Sequence, residues 1–208
     1  ICEPKPVQHP LPLLIGGIVF TLLTTWKRGR SLLMDRLNQD SMPLPLFIES
    51  IAASPPPRVP GTAIFLTSTK DRVPHALLHN LKHNKVLHER VVFLTIHTRE
   101  IPRVPGVERV TIRDLGCAFF ALDAWYGFTE EPDVPVLLEH CAIQGLEFDT
   151  MDTSFFVSRE TLIPAVAPGM AMWRERLFVS MSKMAVKATD FFHVPTNRVV
   201  ELGTQVEL

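Results

Sequence analysis

An uncharged apolar stretch near the start of the chain restricts the fold more than any other feature. It runs from Leu11 to Trp26 and is followed directly by the basic cluster Lys27–Arg30. An apolar run that ends in positive charge is typical of a membrane helix that meets the cytoplasm. The pattern therefore predicts an irregular lead-in over residues 1–10, a transmembrane helix over residues 11–29 and a cytoplasmic position for everything after Arg30.

Other interpretations of this stretch compete with a membrane helix. A helix from Leu11 to Trp26 is about 24 Å long at ~1.5 Å per residue, which is short of a ~30 Å hydrocarbon core. Helices of this length are common in the cores of soluble proteins, and that alternative stays open. A buried helix would have to tolerate Gly16 and Gly17, at roughly 1 kcal/mol each relative to alanine. A secretory signal peptide is disfavoured because its positive charges would precede the apolar run.

Composition and charge exclude several classes of protein. A hydrophobic fraction of 46% fits a globular protein with one membrane segment and does not fit a disordered chain. Residues 31–208 carry 17 basic and 21 acidic side chains, so this mildly acidic body is not expected to bind nucleic acid. The three cysteines, Cys2, Cys117 and Cys141, form no C-x-x-C pair and are expected to be reduced thiols. The proline-rich start at Ile1 is expected to belong to a longer protein.

Proline-rich segments divide the sequence after the basic cluster. Residues 30–57 are predicted to hold connecting helices and a proline-rich linker. Residues 30–38 are expected to be a cytoplasmic extension or an interfacial helix, and residues 46–54 a short helix. The stretch from Ser54 to Pro60 is expected to be stiff. The compact cytoplasmic α/β domain is predicted to occupy residues 58–208.

Alternating strand and helix patterns predict the fold of that domain. Apolar runs rich in β-branched residues predict strands, and apolar residues at helical spacing predict helices. Strands are expected at 62–68, 89–98, 107–115, 118–128, 154–158 and 199–208, and helices at 73–85, 132–143 and 169–192. A strand, a helix and a second strand favour parallel pairing, whereas Gly116 favours a hairpin. The prediction is an α/β fold with a mixed, mainly parallel sheet flanked by helices.

The last of these helices is expected to bury a stripe of large apolar side chains. Its members recur every three or four residues, which is the spacing of one helical face. The predicted stripe consists of Met170, Trp173, Leu177, Met181, Met184 and Ala188. We interpret it as core and not as a cofactor site.

Three histidines form the most conspicuous group of potential ligands. His75, His79 and His83 are spaced i, i+4 and i+8 on a predicted helix. Histidine pairs at i, i+4 are known zinc ligands, but the glutamate of an H-E-x-x-H motif is missing. Three imidazoles over nearly three turns cannot all reach one ion. A solvent-facing or interface stripe is therefore favoured over a metal site.

The other reactive side chains suggest no site. Phosphate-binding motifs and the G-x-S-x-G elbow are absent from the sequence. Four aspartates are expected to be solvated loop residues, and two cysteines to be inert core residues. These residues are Asp71, Asp123, Asp149, Asp152, Cys117 and Cys141. No catalytic, cofactor-binding or metal-ligating residue is assigned, and the chain is not expected to be an enzyme.

Several blocks of sequence nevertheless resemble a known family. They are TTWKRGR (Thr24–Arg30), VPGTAIFLTS (Val59–Ser68), VPHALLHNLKHNKVLHE (Val73–Glu89), YGFTEEPDVP (Tyr126–Pro135), SFFVSRETLIP (Ser154–Pro164) and NRVVELGTQVEL (Asn197–Leu208). In this order they resemble the C-terminal part of the Kup proteins, the bacterial potassium uptake proteins of the KUP/HAK/KT family. The segment Asp123–Trp125 departs from the family, which more usually has a basic or aliphatic stretch there.

The resemblance implies a potassium/proton symporter of the inner membrane. Leu13–Trp26 would be its last membrane helix, and the remainder a cytoplasmic domain similar to universal stress proteins. That domain would regulate transport or form a homodimer, and in some relatives it binds a cyclic dinucleotide. Potassium and protons would be transported ions bound by the missing N-terminal transmembrane core. A soluble α/β nucleotide-binding sensor module is the alternative interpretation.

Overall fold

The computed structural model describes residues 10–39, 41–163, 169–185 and 192–207. In chain order the elements are α1 (Pro10–Gln39), α2 (Leu44–Ala53), β1 (Arg58–Leu66), α3 (His75–Asn84), β2 (Leu87–Arg99), β3 (Val110–Gly116), β4 (Phe119–Gly127), α4 (Val134–Ile143), β5 (Thr153–Ile163), α5 (Met172–Lys183) and β6 (Val199–Glu207). They divide into two compact units. The helical unit contains α1, α5 and the ends of β5 and β6, from Leu162 and Gln205 onward, and the sheet unit contains the rest.

The six strands form one sheet in the order β3-β4-β2-β1-β5-β6. β1 pairs in parallel with β2 and β5, and β2 pairs in parallel with β4. The β3–β4 pair is antiparallel. Parallel neighbours need a crossover, which α3 provides between β1 and β2, whereas β3 and β4 are joined by a tight turn. The predicted mixed, mainly parallel α/β sheet is confirmed.

The turn of the β3–β4 hairpin places a cysteine in solvent. Gly116, Cys117 and Ala118 have φ values of 84°, 51° and 60°, a region that glycine adopts freely and other residues rarely. Cys117 is exposed at this turn, so the prediction that it is an inert core residue is wrong. Cys141 is buried in α4, where burial raises the pKa of its thiol to about 12.

Apolar layers cover both faces of the sheet. Adjacent residues of a strand point to opposite faces, and Ala63, Ile64 and Phe65 of β1 are all buried. Ile64 packs in the layer under α4, and Phe65 packs in the layer under α2 and α3. Strands buried on both faces show continuous apolar runs instead of alternating apolar and polar residues, which is why these strands could be predicted from the sequence.

Helix α2 packs on the sheet and belongs to the sheet unit. Phe47 meets the ring of Phe119 edge-on at 5.8 Å, and the N–H of Leu44 donates to the carbonyl of Asp71 at 2.9 Å. The structure therefore divides the chain at a different place from the predicted domain start at residue 58. Pro55–Pro57 connect two elements of one unit.

Helix α1 is a single helix of 30 residues. The helical structure predicted at residues 30–38 is confirmed as the last part of α1, since the helical backbone passes through the basic cluster without a break. Several of its apolar side chains are exposed: Leu11, Leu13, Leu14, Ile15, Ile18, Val19, Phe20 and Leu23.

In the described part of the chain, no helix combines the length and the apolar character that crossing a membrane requires. This corrects the prediction of a transmembrane helix at residues 11–29. The uncharged stretch of α1 ends at Trp26, and the charged side chains of Lys27, Arg28 and Arg30 follow within the same helix.

Helix α5 packs against α1 in the helical unit through Phe178. Its ring lies 5.5 Å from the ring of Trp26, and it occupies the space that a side chain on Gly29 would need. Arg174 donates from Nε to the Thr25 hydroxyl and from Nη2 to the Thr24 hydroxyl, each at 3.0 Å.

The predicted stripe of the last helix is not its buried face. α5 ends at Lys183, and the buried side chains are Glu175 and Phe178, whereas Trp173 and Met184 are exposed. Ala188 and the rest of the predicted helix over 186–191 lie outside the described residues. The residues of α1 that α5 contacts decide which face is buried, and periodicity within α5 alone does not identify it.

A half-buried ion pair between Arg109 and Glu130 fixes the segment before β3 to the end of β4. Glu130 accepts hydrogen bonds from Nη2 of Arg109 at 2.6 Å, from the N–H of Gly127 at 2.7 Å and from the N–H of Val104 at 3.0 Å. Burial alone would raise the pKa of Glu130, but these three donors and the charge of Arg109 together lower it to about 2.

The Glu130→Gln variant is expected to have a free energy of unfolding about 1–3 kcal/mol lower than the wild type near neutral pH, because a charged acceptor of three hydrogen bonds is lost. The folded-state pKa lies below the unfolded value, so this stabilisation is complete above pH ~4.5 and disappears as the pH falls toward 2. Urea denaturation of both proteins across this range measures the difference. Glu131→Gln, an exposed neighbour, is the control, and equal losses in both variants would contradict the prediction.

Candidate functional site

Parallel strands bring a group of polar side chains to one edge of the sheet. In the β2–β4 register Thr95 is opposite Asp123 and His97 is opposite Trp125. Lys70 lies in the segment that follows β1. Ligands of open α/β sheets bind outside the carboxyl ends of the strands, which is where these residues lie. We call Lys70, His97, Arg99, Arg113, Asp123 and Trp125 the carboxyl-edge cluster.

Asp123 is the centre of the carboxyl-edge cluster. Its side chain is only 7% exposed. Oδ1 accepts from Nε2 of His97 at 2.9 Å and from Nζ of Lys70 at 3.0 Å, and Oδ2 accepts from Nη2 of Arg113 at 3.2 Å. A buried carboxylate is tolerated only when it is paired and hydrogen-bonded, and three donors satisfy that requirement here.

The electrostatic balance at Asp123 favours its ionised form. Burial is the largest influence and by itself raises the pKa of the carboxyl. The hydrogen bonds from His97 and Lys70, with the charges of Lys70 and Arg113, outweigh burial and lower the pKa. Asp123 is therefore a carboxylate at neutral pH.

Trp125 adds an aromatic surface beside this carboxylate. The His97 ring stacks on the indole at 4.4 Å with an interplanar angle of 28°. Nζ of Lys70 lies 5.3 Å and the guanidinium of Arg99 lies 4.8 Å from the ring centroid. Arg99 also forms an ion pair with Glu108 at 2.7 Å. Cations beside an aromatic face suit a planar ligand that carries negative charge.

The carboxyl-edge cluster was not predicted from the sequence. The prediction that Asp123 is a solvated loop residue is wrong, since it lies in β4 and is buried. Asp71, Asp149 and Asp152 are exposed, as expected of solvated acids. One signal was available: a charged residue within an apolar strand must find a partner.

His75, His79 and His83 lie on α3, whereas Asp123 lies on β4. His83 is exposed, while His75 and His79 are half-buried. The rings of His79 and His83 are 5.8 Å apart with an interplanar angle of 20°. Burial lowers the pKa of His79, and the positive charges of His83, Lys82 and His75 lower it further. Within the described ranges, no group of three or more His, Cys, Asp or Glu side chains could hold a metal ion.

A recess of about 550 Å³ opens at the other edge of the sheet unit, where the parallel strands begin. Most of its charged lining is acidic, with Arg90 as the basic member. Nη1 of Arg90 donates to the carbonyl of Glu147 at 2.6 Å, and its guanidinium lies 6.0 Å from the ring of Phe148. The recess is lined by Gly61, Thr62, Glu89, Arg90, Ala118, Phe120, Glu147, Asp149 and Asp152.

Comparison with known proteins identifies the family. The family model for the K+ potassium transporter C-terminal domain matches residues 60–208, from β1 to the end of the chain. The chain belongs to the Kup potassium transporter family. The resemblance noted in the sequence is thus confirmed, and the carboxyl-edge cluster lies within the part that defines this Kup domain.

Kup proteins from several bacteria are similar over almost the whole chain. The chain is 58% identical over 198 residues to a probable potassium transport system protein, Kup 2, of Chromobacterium violaceum. It is 57% identical over 197 residues to the probable Kup proteins of an Azoarcus species and of Aromatoleum aromaticum. These matches cover 95% of the chain but only 31–32% of the relatives, so the chain spans about a third of their length. No solved structure matches the chain.

Proposed function

We propose that this chain is the C-terminal part of a potassium/proton symporter that takes up potassium across the inner membrane. The observation that supports this is the family match over residues 60–208, together with 58% identity to a probable potassium transport protein. In this proposal potassium and protons bind in a transmembrane core that corresponds to the remaining two thirds of the relatives. The sheet unit lies on the cytoplasmic side and regulates transport or forms a homodimer.

Growth of a potassium-uptake-deficient bacterium at limiting potassium tests the transport proposal. The full-length gene that encodes this chain should restore growth, and a protonophore should abolish potassium uptake because symport needs the proton gradient. Failure to restore growth, with the protein present in the membrane fraction, would overturn the proposal. Uptake that persists when the proton gradient is dissipated would overturn the coupling to protons.

The carboxyl-edge cluster supports a second proposal, that the sheet unit receives a regulatory ligand. An indole flanked by Lys70, Arg99 and His97, at the edge where α/β sheets bind ligands, is suited to a base and a phosphate together. A cyclic dinucleotide offers both groups. The alternative to a transporter part, a soluble nucleotide-binding sensor module, would use the same cluster.

Calorimetric titration of the chain with cyclic di-adenylate and cyclic di-guanylate tests ligand binding. Trp125→Ala is expected to weaken binding at least about tenfold, since base stacking contributes ~1–3 kcal/mol per base. Arg159→Ala, which removes an exposed ion pair on β5, should bind as the wild type does. Absence of heat at high ligand concentration would overturn the ligand proposal. Binding without restored growth would favour the sensor module.

A further inference from the structure

We propose that His79 and His83 together bind a divalent transition-metal ion on the outer surface of α3. The two residues are four apart in a helix that runs from His75 to Asn84. Residues at i and i+4 project from the same face, one turn apart. Their ring centroids are 5.8 Å apart, and the two nearly parallel rings, inclined by 20°, stack against each other in the structure.

The distance between the rings is close to what a shared ion requires. Zinc binds imidazole nitrogen at ~2.0–2.1 Å, which places the centre of each ring about 3 Å from the ion. Two rings on one tetrahedral ion therefore have centroids roughly 5 Å apart. The observed separation of 5.8 Å is close to this value. An ion binds in the plane of each imidazole, so both stacked rings must rotate about their side-chain bonds before their nitrogens face one ion. His83 is exposed, so the ion and its remaining water ligands have access from solvent.

The donor set selects the class of metal. Imidazole suits zinc, copper and nickel, whereas magnesium and calcium prefer oxygen ligands. Within the described residues no third His, Cys, Asp or Glu joins the pair, so water completes the coordination shell. The ammonium group of Lys82, on the same helix, repels a cation and limits the affinity. His75 lies two turns from His83, about 12 Å along the helix axis, and cannot share an ion with it.

Metal titration of the chain tests this assignment independently of transport. Zn²⁺ and Cu²⁺ should bind with one ion per chain, and Mg²⁺ should not compete. His79→Ala and His83→Ala should each weaken Cu²⁺ binding at least about tenfold, because a single imidazole replaces a chelating pair. The electron paramagnetic resonance spectrum of bound Cu²⁺ should show two nitrogen ligands in the wild type and one in either variant.

Two control variants make the result decisive. His75→Ala keeps the proposed pair, and His140→Ala removes a histidine of α4; both should bind Cu²⁺ within about twofold of the wild type. Unchanged helical circular dichroism shows that each variant is folded. The proposal is overturned if His83→Ala binds as tightly as the wild type, if His75→Ala loses binding, or if no ion binds at ~1 mM metal.

Discussion

Replacement of Phe119 by alanine is expected to lower the free energy of unfolding by about 3–5 kcal/mol, the range for large aromatic side chains in a core. The Phe119 side chain in β4 has no exposed surface. Its ring lies parallel to the ring of Phe93 at 5.9 Å and edge-on to that of Phe47 at 5.8 Å. Truncation therefore leaves a cavity between two strands and α2, where close packing prevents full collapse. Urea denaturation followed by circular dichroism measures the loss.

Phe128→Ala is the matched control for this variant. Phe128 follows the end of β4 and is 63% exposed, so its truncation should change the free energy of unfolding by less than about 0.5 kcal/mol. Phe119→Leu should lower the free energy of unfolding by less than half as much as Phe119→Ala does, because leucine keeps much of the side-chain volume. A Phe119→Ala variant as stable as Phe128→Ala would show that α2 does not pack on the sheet as described.

The order of strands and helices was predictable because each element of the sheet unit carries a strong local signal. β1 and β2 are continuous apolar runs buried on both faces, and α3 and α4 carry apolar residues at helical spacing. Gly116 indicated the hairpin, and the structure confirms an antiparallel β3–β4 pair there. These signals come from neighbouring residues, so they need no knowledge of the tertiary structure.

The predictions that failed depend on which elements meet in space. α2 was assigned to a linker region because Pro55–Pro57 follows it, but its apolar face packs on Phe119. The buried face of α5 was misplaced because it is the contact with α1, close to Gly29, that buries Phe178. Periodicity gives the spacing of apolar residues, whereas the partner element decides which of them are buried.

The carboxyl-edge cluster was not predictable for a related reason. Its members come from a loop and three strands, and they meet only because β2 and β4 are adjacent in a defined register. Nothing in the spacing of Lys70, His97 and Asp123 along the chain indicates that they touch. The departure from the family pattern at Asp123–Trp125 was visible, but its chemical meaning depends on the contacts with Lys70 and Arg113.

The Asp123→Asn variant is expected to lower the free energy of unfolding by about 2–3 kcal/mol near neutral pH. Loss of the carboxylate leaves Lys70, His97 and Arg113 without the negatively charged acceptor that they share. Removing one partner of a buried ion pair lowers stability by more than the intact pair contributes to it. The partners are partly exposed, and the Arg113 side chain is 49% exposed, so water solvates part of the positive charge that is left unpaired. The expected loss in free energy of unfolding is therefore smaller than for a fully buried ion pair.

The pH dependence of the Asp123→Asn variant separates a charge effect from a packing effect. The folded-state pKa of Asp123 is lowered, so its stabilisation is present above the unfolded value near 4 and is lost as the pH falls below it. The difference between wild type and variant should therefore shrink between pH ~5 and ~2. Asp71→Asn, at an exposed position, should show no difference at any pH. A constant difference for Asp123→Asn would contradict the charge effect and would mean that packing at this position decides the difference.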